Sequence, residues 1–62
     1  MIELFSLNTV SQKFDSFWFG NLEVILEYFE IRGDCVSVVF NTEYKKISFF
    51  NKDNDLIGYF YQ

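Results

Sequence analysis

The sequence lacks proline, histidine and alanine, and its 62 residues include a single cysteine, Cys35. Histidine is the commonest general base and a common metal ligand, so its absence weakens the case for catalysis and for a zinc site. One cysteine cannot form a disulfide within the chain, whereas short secreted domains normally carry about two to four disulfides. The sequence therefore predicts a cytoplasmic protein that is not an enzyme and has no metal or cofactor.

Positive charge is scarce: five Lys and Arg residues stand against nine Asp and Glu residues, which gives a net charge of −4. The excess lies in residues 1–31, where five acids accompany one base, Lys13, whereas residues 32–62 contain four acids and four bases. Nucleic-acid binding requires a basic surface that neutralises phosphates. We therefore expect a protein partner, with a basic surface, and no direct binding to nucleic acid.

Long apolar runs are missing as well, because polar residues interrupt every apolar stretch far short of the ~20 residues that span a bilayer. The first residues, Met1 to Phe5, have neither the basic start nor the small-residue cleavage site of a signal peptide. No cluster of Pro, Gly or Ser marks a linker, and no segment is repeated. We expect one domain over residues 1–62, without membrane contact.

Aromatic residues are abundant instead, with nine Phe, four Tyr and one Trp. A chain of this length buries only about 60% of the surface that its unfolded form exposes, so its core is small. These rings exceed what one buried face of so small a domain holds. Surplus aromatic side chains at a surface are typical of protein interfaces, formed with a second copy or with a target.

The C-terminal half shows the clearest structural pattern. Residues 35–41, 46–50 and 56–61 are rich in β-branched and aromatic residues and include period-2 alternation, which is typical of strands. Residues 51–55, between the last two runs, are all polar and turn-favouring, which suits a hairpin loop. The sequence predicts a three-stranded antiparallel meander over 35–61.

The N-terminal half changes its period. Residues 2–7 alternate like a short strand. Apolar residues then recur with helical spacing, at Val10, Phe14, Phe17 and Trp18. Thr9 and Gln12 have the spacing of a capping box, and Gly20 follows as a C-cap. These features predict a helix over about 10–19, whose rings cover one face of the sheet.

The segment 22–31 has two open interpretations. As a helix it would begin after Asn21, end at Gly33 and direct its glutamates outward. As a strand it would pair, through a tight turn at Gly33 and Asp34, with the strand that begins at Cys35. We favour the strand, because both faces of so apolar a run can then be buried in a sheet that a helix covers.

Together these patterns predict an α+β, β-rich fold, an antiparallel meander of four to five strands with one short N-terminal helix at about 10–19. The alternative is an all-β, SH3-like small barrel. In the meander, the helix covers one face of the sheet, and nothing else in the chain is left to cover the other.

Candidate partner-binding residues form two groups. The acidic group gathers negative charge that suits a basic partner, and consists of Glu23, Glu27, Glu30 and Asp34. The aromatic group provides apolar anchors, mostly from the uncovered sheet face, and consists of Trp18, Phe50, Tyr59 and Tyr61.

The predicted function is therefore binding without catalysis. The chain fits an inhibitor of a host defence or nucleic-acid-processing protein, of the kind that phages and mobile elements encode. Two alternatives are a structural or assembly subunit with a small β-barrel fold, and a single-strand nucleic-acid binder that stacks bases on its rings. A homodimer would supply the buried area that so short a chain lacks.

Overall fold

The computed structural model describes residues 1–33 and 37–62. These residues form five strands and one helix, in the order β1 (Ile2–Asn8), β2 (Lys13–Phe19), α1 (Leu22–Arg32), β3 (Ser37–Asn41), β4 (Lys46–Phe50) and β5 (Leu56–Tyr61). The strands pair antiparallel in one sheet of order β2-β1-β5-β4-β3. The sheet is open, with β2 and β3 at its edges. The α+β prediction therefore fits, whereas the SH3-like alternative is not confirmed.

The predicted C-terminal meander is confirmed over its described part, because β3, β4 and β5 are consecutive antiparallel neighbours. Asn51 organises the loop 51–55. Its Oδ1 accepts hydrogen bonds from the backbone N–H groups of Asp53 and Asp55, each at 2.9 Å. The predicted start of the first strand at Cys35 lies outside the described residues.

The helix predicted at about 10–19 is wrong. Residues 9–12 form a hairpin loop, and the residues that follow form the edge strand β2, which pairs with β1 over its whole length. Asn8 closes the loop. Its Oδ1 accepts hydrogen bonds from the backbone N–H groups of Val10 and Ser11, at 2.9 and 3.2 Å.

The physical reason for this error lies in the spacing of the aromatic residues. Phe14 and Trp18 are four residues apart, which brings two side chains to the same side of a helix and also of a strand. Phe17 alone separates the two patterns, since alternation along β2 points it to the opposite face. Gln12 ends the loop with a positive φ of 61°, so it is not part of a capping box, and Gly20 lies between β2 and α1.

The strand favoured for 22–31 is also wrong, and the helical alternative is correct, because α1 spans Leu22–Arg32. Asn21 caps the helix by accepting a hydrogen bond from the Val24 N–H group at 3.1 Å. Gly33 ends it in the left-handed conformation, with φ 68°, and donates its N–H to carbonyls of the last turn. In the described part of the chain, no helix is long and apolar enough to cross a membrane.

The core lies between α1 and one face of the sheet, which we call the covered face. Its buried apolar residues are Leu4, Ile25, Phe29, Ile47, Phe49, Ile57 and Phe60. The ring centroids of Phe29 and Phe49 lie 4.8 Å apart and join the helix to β4. Tyr28 packs against Phe19 at 5.3 Å, which joins the helix to the edge strand β2.

A β-bulge changes which residues of β5 enter this core. Phe49 pairs with Gly58, whereas Phe50 pairs with Leu56, so Ile57 has no partner in β4. Simple alternation from Gly58 would point Ile57 away from the helix, but the extra residue of the bulge lets it join the core instead.

Gly58 leaves room for the helix. A Cβ atom at this position would lie 2.7 Å from Cζ of Phe29 and 3.2 Å from the backbone oxygen of Phe5. The absence of a side chain therefore lets the Phe29 ring rest directly on the backbone of the central strand.

Candidate functional site: two protein-binding surfaces

The face of the sheet opposite α1, which we call the open face, has no described helix or strand packed against it. Strand alternation places one acid, one base and many apolar side chains there, namely Glu3, Phe5, Leu7, Phe14, Trp18, Lys46, Phe50, Leu56, Tyr59 and Tyr61. Trp18 is 61% exposed, Tyr61 57% and Phe14 39%. A contiguous apolar surface of this kind is typical of protein interfaces.

Tyr59, in the central strand β5, organises the rings of the open face. Phe5 stacks on it, with ring centroids 5.1 Å apart and an interplanar angle of 19°. Phe14 and Tyr61 meet it edge-on, at 5.3 and 5.9 Å. Lys46 Nζ lies 4.6 Å from the centroid of the Tyr59 ring. These contacts position the rings before any partner arrives, which lowers the entropy cost of binding.

All the aromatic residues singled out from the sequence lie on the open face, namely Trp18, Phe50, Tyr59 and Tyr61. Trp18 belongs to an edge strand and not to a covering helix. Sequence reasoning missed Phe5 and Phe14. The alternation of Phe5 with buried Leu4 in β1 was a sufficient signal for the first, whereas the helical interpretation of 10–19 hid the second.

The acidic residues lie on a different surface. Glu23, Glu27 and Glu30 are exposed on α1, on the side away from its buried residues, and we call them the acidic helix surface. Asp34 lies outside the described residues. Because α1 packs on the covered face, the helix and the sheet separate these carboxylates from the open face. One flat partner surface cannot contact both groups.

Charge is divided unevenly between the two surfaces. Glu3 and Lys46 are the charged side chains that strand alternation places on the open face, so that face is neutral. The acidic helix surface instead carries three of the five acids found in residues 1–31. The negative charge of the first half of the chain is therefore mainly a property of α1.

A small polar depression lies where the C-terminal end of α1 meets β1 and β2. The hydroxyls of buried Ser6 and Tyr28 are 3.2 Å apart, and Arg32 donates a hydrogen bond to the Tyr28 hydroxyl. Asn8 donates a hydrogen bond to Asp15 at 3.4 Å. The contact of Ser6 with Tyr28 joins β1 to α1, so these polar side chains help to hold the helix against the sheet.

Over residues 1–33 and 37–62, no three His, Cys, Asp or Glu side chains come together as metal ligands. Compared with protein-family models, curated proteins and solved structures, the chain shows no significant match. The open face and the acidic helix surface are therefore the features of this chain that point to a function.

Proposed function

We propose that the protein acts by binding other proteins, with no catalytic step of its own. One observation carries the proposal: one face of the sheet presents prearranged aromatic rings, and no described element packs on it. Covering apolar surface is favourable by about 25 cal/mol for each Å² removed from water. A partner that covers the open face therefore gains affinity without the cost of ordering its rings.

The acidic helix surface supports a second contact, with a basic partner. Carboxylates at Glu23, Glu27 and Glu30 attract and orient a basic surface by complementary potential. This contact fits an inhibitor that occupies the basic groove of a nucleic-acid-processing or defence protein, as expected for a protein encoded by a phage or mobile element. The open face then remains available for a separate contact.

The single-strand nucleic-acid alternative receives less support. Base stacking on aromatic rings normally acts together with a positively charged groove that follows the phosphates. The open face offers the rings, but Lys46 is accompanied there by Glu3, and the face has no net positive charge.

Site-specific photo-crosslinking in the cells that make the protein tests the proposal. The photoreactive residue benzoylphenylalanine replaces Trp18 on the open face or Glu27 on the acidic helix surface. The matched control carries it at Val10, which is 93% exposed in the β1–β2 loop. We expect protein adducts at 18 and at 27, and none at 10.

The outcomes separate the two surfaces. An adduct at 27 without one at 18 would remove the open face from the proposal. Circular dichroism shows whether each variant retains its helix and is folded. If folded variants give no adduct at either position, the proposed function is contradicted altogether.

A further inference from the structure

We propose that the open face binds a second copy of this chain, in a face-to-face dimer whose twofold axis runs along β5. The inference rests on the proposed role of the open face in protein binding and names its occupant. Two features of the face carry it: the placement of its two charges, and its division into a bulky half and a small half.

The strand register arranges the open face in three rows, each written in the order β2-β1-β5-β4-β3. The middle row is Ser16, Phe5, Tyr59, Ser48 and Val39. A second row lies two residues further along each strand and consists of Trp18, Glu3, Tyr61, Lys46 and Asn41. On the other side of the middle row lie Phe14, Leu7, Leu56, Phe50 and Ser37. Tyr59 therefore occupies the centre of the face.

The charges are placed symmetrically about this centre. Glu3 on β1 and Lys46 on β4 lie in one row, on either side of β5. Within one chain they are about two strand spacings apart, roughly 10 Å, with Tyr61 between them. Lys46 Nζ lies over the Tyr59 and Tyr61 rings. A twofold axis along β5 lays β1 of one copy over β4 of the other. Glu3 then faces Lys46 of the partner subunit, and the pair forms twice.

The same axis matches large side chains with small ones. It lays β2 over β3 and β1 over β4. The bulky half contributes Trp18, Phe14 and Phe5. In the same rows, the facing positions of the other half hold Asn41, Ser37 and Ser48. Three rings of each copy thus face small side chains of the other, which favours close packing of two sheets. On the axis itself, Tyr59 and Tyr61 face the same residues of the second copy, and beside it Leu7 faces Phe50.

The area of the face suits a weak dimer. Five strands about 4.8 Å apart, with six residues of about 3.4 Å each, give roughly 480 Å² per copy. The two copies together bury roughly 1,000 Å², near the lower limit of specific interfaces. Packed sheets are rotated by about 30° relative to each other. For residues such as Glu3 and Lys46, which lie one strand away from the axis, this rotation shifts the facing side chains apart by roughly 4 Å. Long side chains such as Lys46 and Glu3 span that offset.

Charge reversal tests the dimer. Glu3→Lys and Lys46→Glu each place like charges opposite one another twice, which is costly at an interface. We expect each variant to raise the dimer dissociation constant at least about tenfold in sedimentation velocity over a concentration series. The double variant, Glu3→Lys with Lys46→Glu, restores opposite charges, and we expect its constant to return to within about threefold of the original.

Matched controls make the same charge changes in exposed loops. Glu43 lies in the β3–β4 loop and Lys52 in the β4–β5 loop, outside the strands that form the open face. The substitutions Glu43→Lys and Lys52→Glu should therefore leave dimerisation unchanged. Glu3→Lys lowers the net charge from −4 to −2, which by itself weakens repulsion between copies, so weaker association cannot come from net charge. Where circular dichroism shows that a reversed variant is unfolded, Glu3→Gln and Lys46→Gln replace it, with a smaller loss expected.

A chain that is monomeric at every concentration, or single reversals that dimerise like the original, would overturn the dimer. The crosslink at position 18 distinguishes this failure from that of the proposed function. An adduct at twice the chain mass supports the dimer. An adduct with a different protein, from a monomeric chain, keeps the proposed function and overturns the dimer. No adduct of any kind contradicts both uses of the open face.

Discussion

The covered and open faces of the sheet use similar aromatic residues, yet in the central strands β4 and β5 Phe49 and Phe60 on the first are 0% and 2% exposed, whereas Phe50 and Tyr59 on the second are only half-buried. Apolar character does not explain this difference. The single helix does, because it lays its buried side chains on one face only. In so short a chain, the number of layers decides which apolar residues become core and which remain available to a partner.

The two faces also differ in how they are fitted. The covered face is shaped for its helix: Gly58 leaves space that the Phe29 ring fills, and a bulge turns Ile57 into the core. The open face lacks such a fit to any element of the described chain. Its rings contact one another, and Tyr61 lies between its two charged residues. The covered face is complementary to a helix of its own chain, whereas the open face needs a second molecule for a complementary surface.

The largest test of this contrast removes one ring from each face. Phe29→Ala opens a cavity in the core and should lower the free energy of unfolding by about 3–5 kcal/mol. A chain of this size is stable by only about 3–9 kcal/mol, so we expect most of its helical circular dichroism to be lost or its urea midpoint to fall steeply. Phe14→Ala, the matched change on the open face, should cost clearly less, about 1–2 kcal/mol, because its ring is 39% exposed and leaves no closed cavity. Equal losses would remove the distinction between the faces.

A smaller effect is expected where the covered face is fitted to its helix. Gly58→Ala inserts a Cβ atom 2.7 Å from the Phe29 ring, and overpacking of this kind costs about 1–3 kcal/mol in urea unfolding. Gly20→Ala is the control, because a Cβ there meets nothing within 4 Å. Combining Gly58→Ala with Phe29→Leu should reduce the loss due to Gly58→Ala. A harmless Gly58→Ala would show that the helix does not press on β5.

The sequence predicts structure well where strand-like alternation is bounded by a polar loop. It predicts structure poorly where the same spacing of apolar residues suits both a helix and a strand. Strands 46–50 and 56–61 and their loop follow directly from alternation and turn-forming residues. The spacing of Phe14 and Trp18 suits a helix and a strand equally. The strand is selected by pairing with β1, a contact that the local sequence of residues 13–19 does not contain. Around α1, the sequence shows both caps, Asn21 and Gly33, but the prediction favours a strand because Gly33 and Asp34 also suit a tight turn and because a strand can bury both faces of so apolar a run.

The candidate site divides in the same way. An uncovered aromatic face can be predicted by comparing the number of rings with what one helix covers, without knowing which segment is helical. The separation of the acidic residues from the aromatic ones cannot be predicted so, because it depends on α1 being a helix on the far side of the sheet. The symmetric placement of Glu3 and Lys46 needs the registers of the β1–β5 and β4–β5 pairs, which no local pattern contains.

We expect the smallest effect on stability at Trp18, where a substitution should nevertheless clearly weaken association. Trp18→Thr keeps a residue that favours strands and removes an exposed ring, so the free energy of unfolding should change by less than about 0.5 kcal/mol. The dimer should nevertheless weaken several-fold in sedimentation velocity, because exposed tryptophans often anchor interfaces. Tyr44→Thr is the control, since Tyr44 is 66% exposed in the β3–β4 loop and should alter neither quantity. If Trp18→Thr instead lowers stability as Phe29→Ala does, the ring belongs to the core, and the open face is smaller than its register indicates.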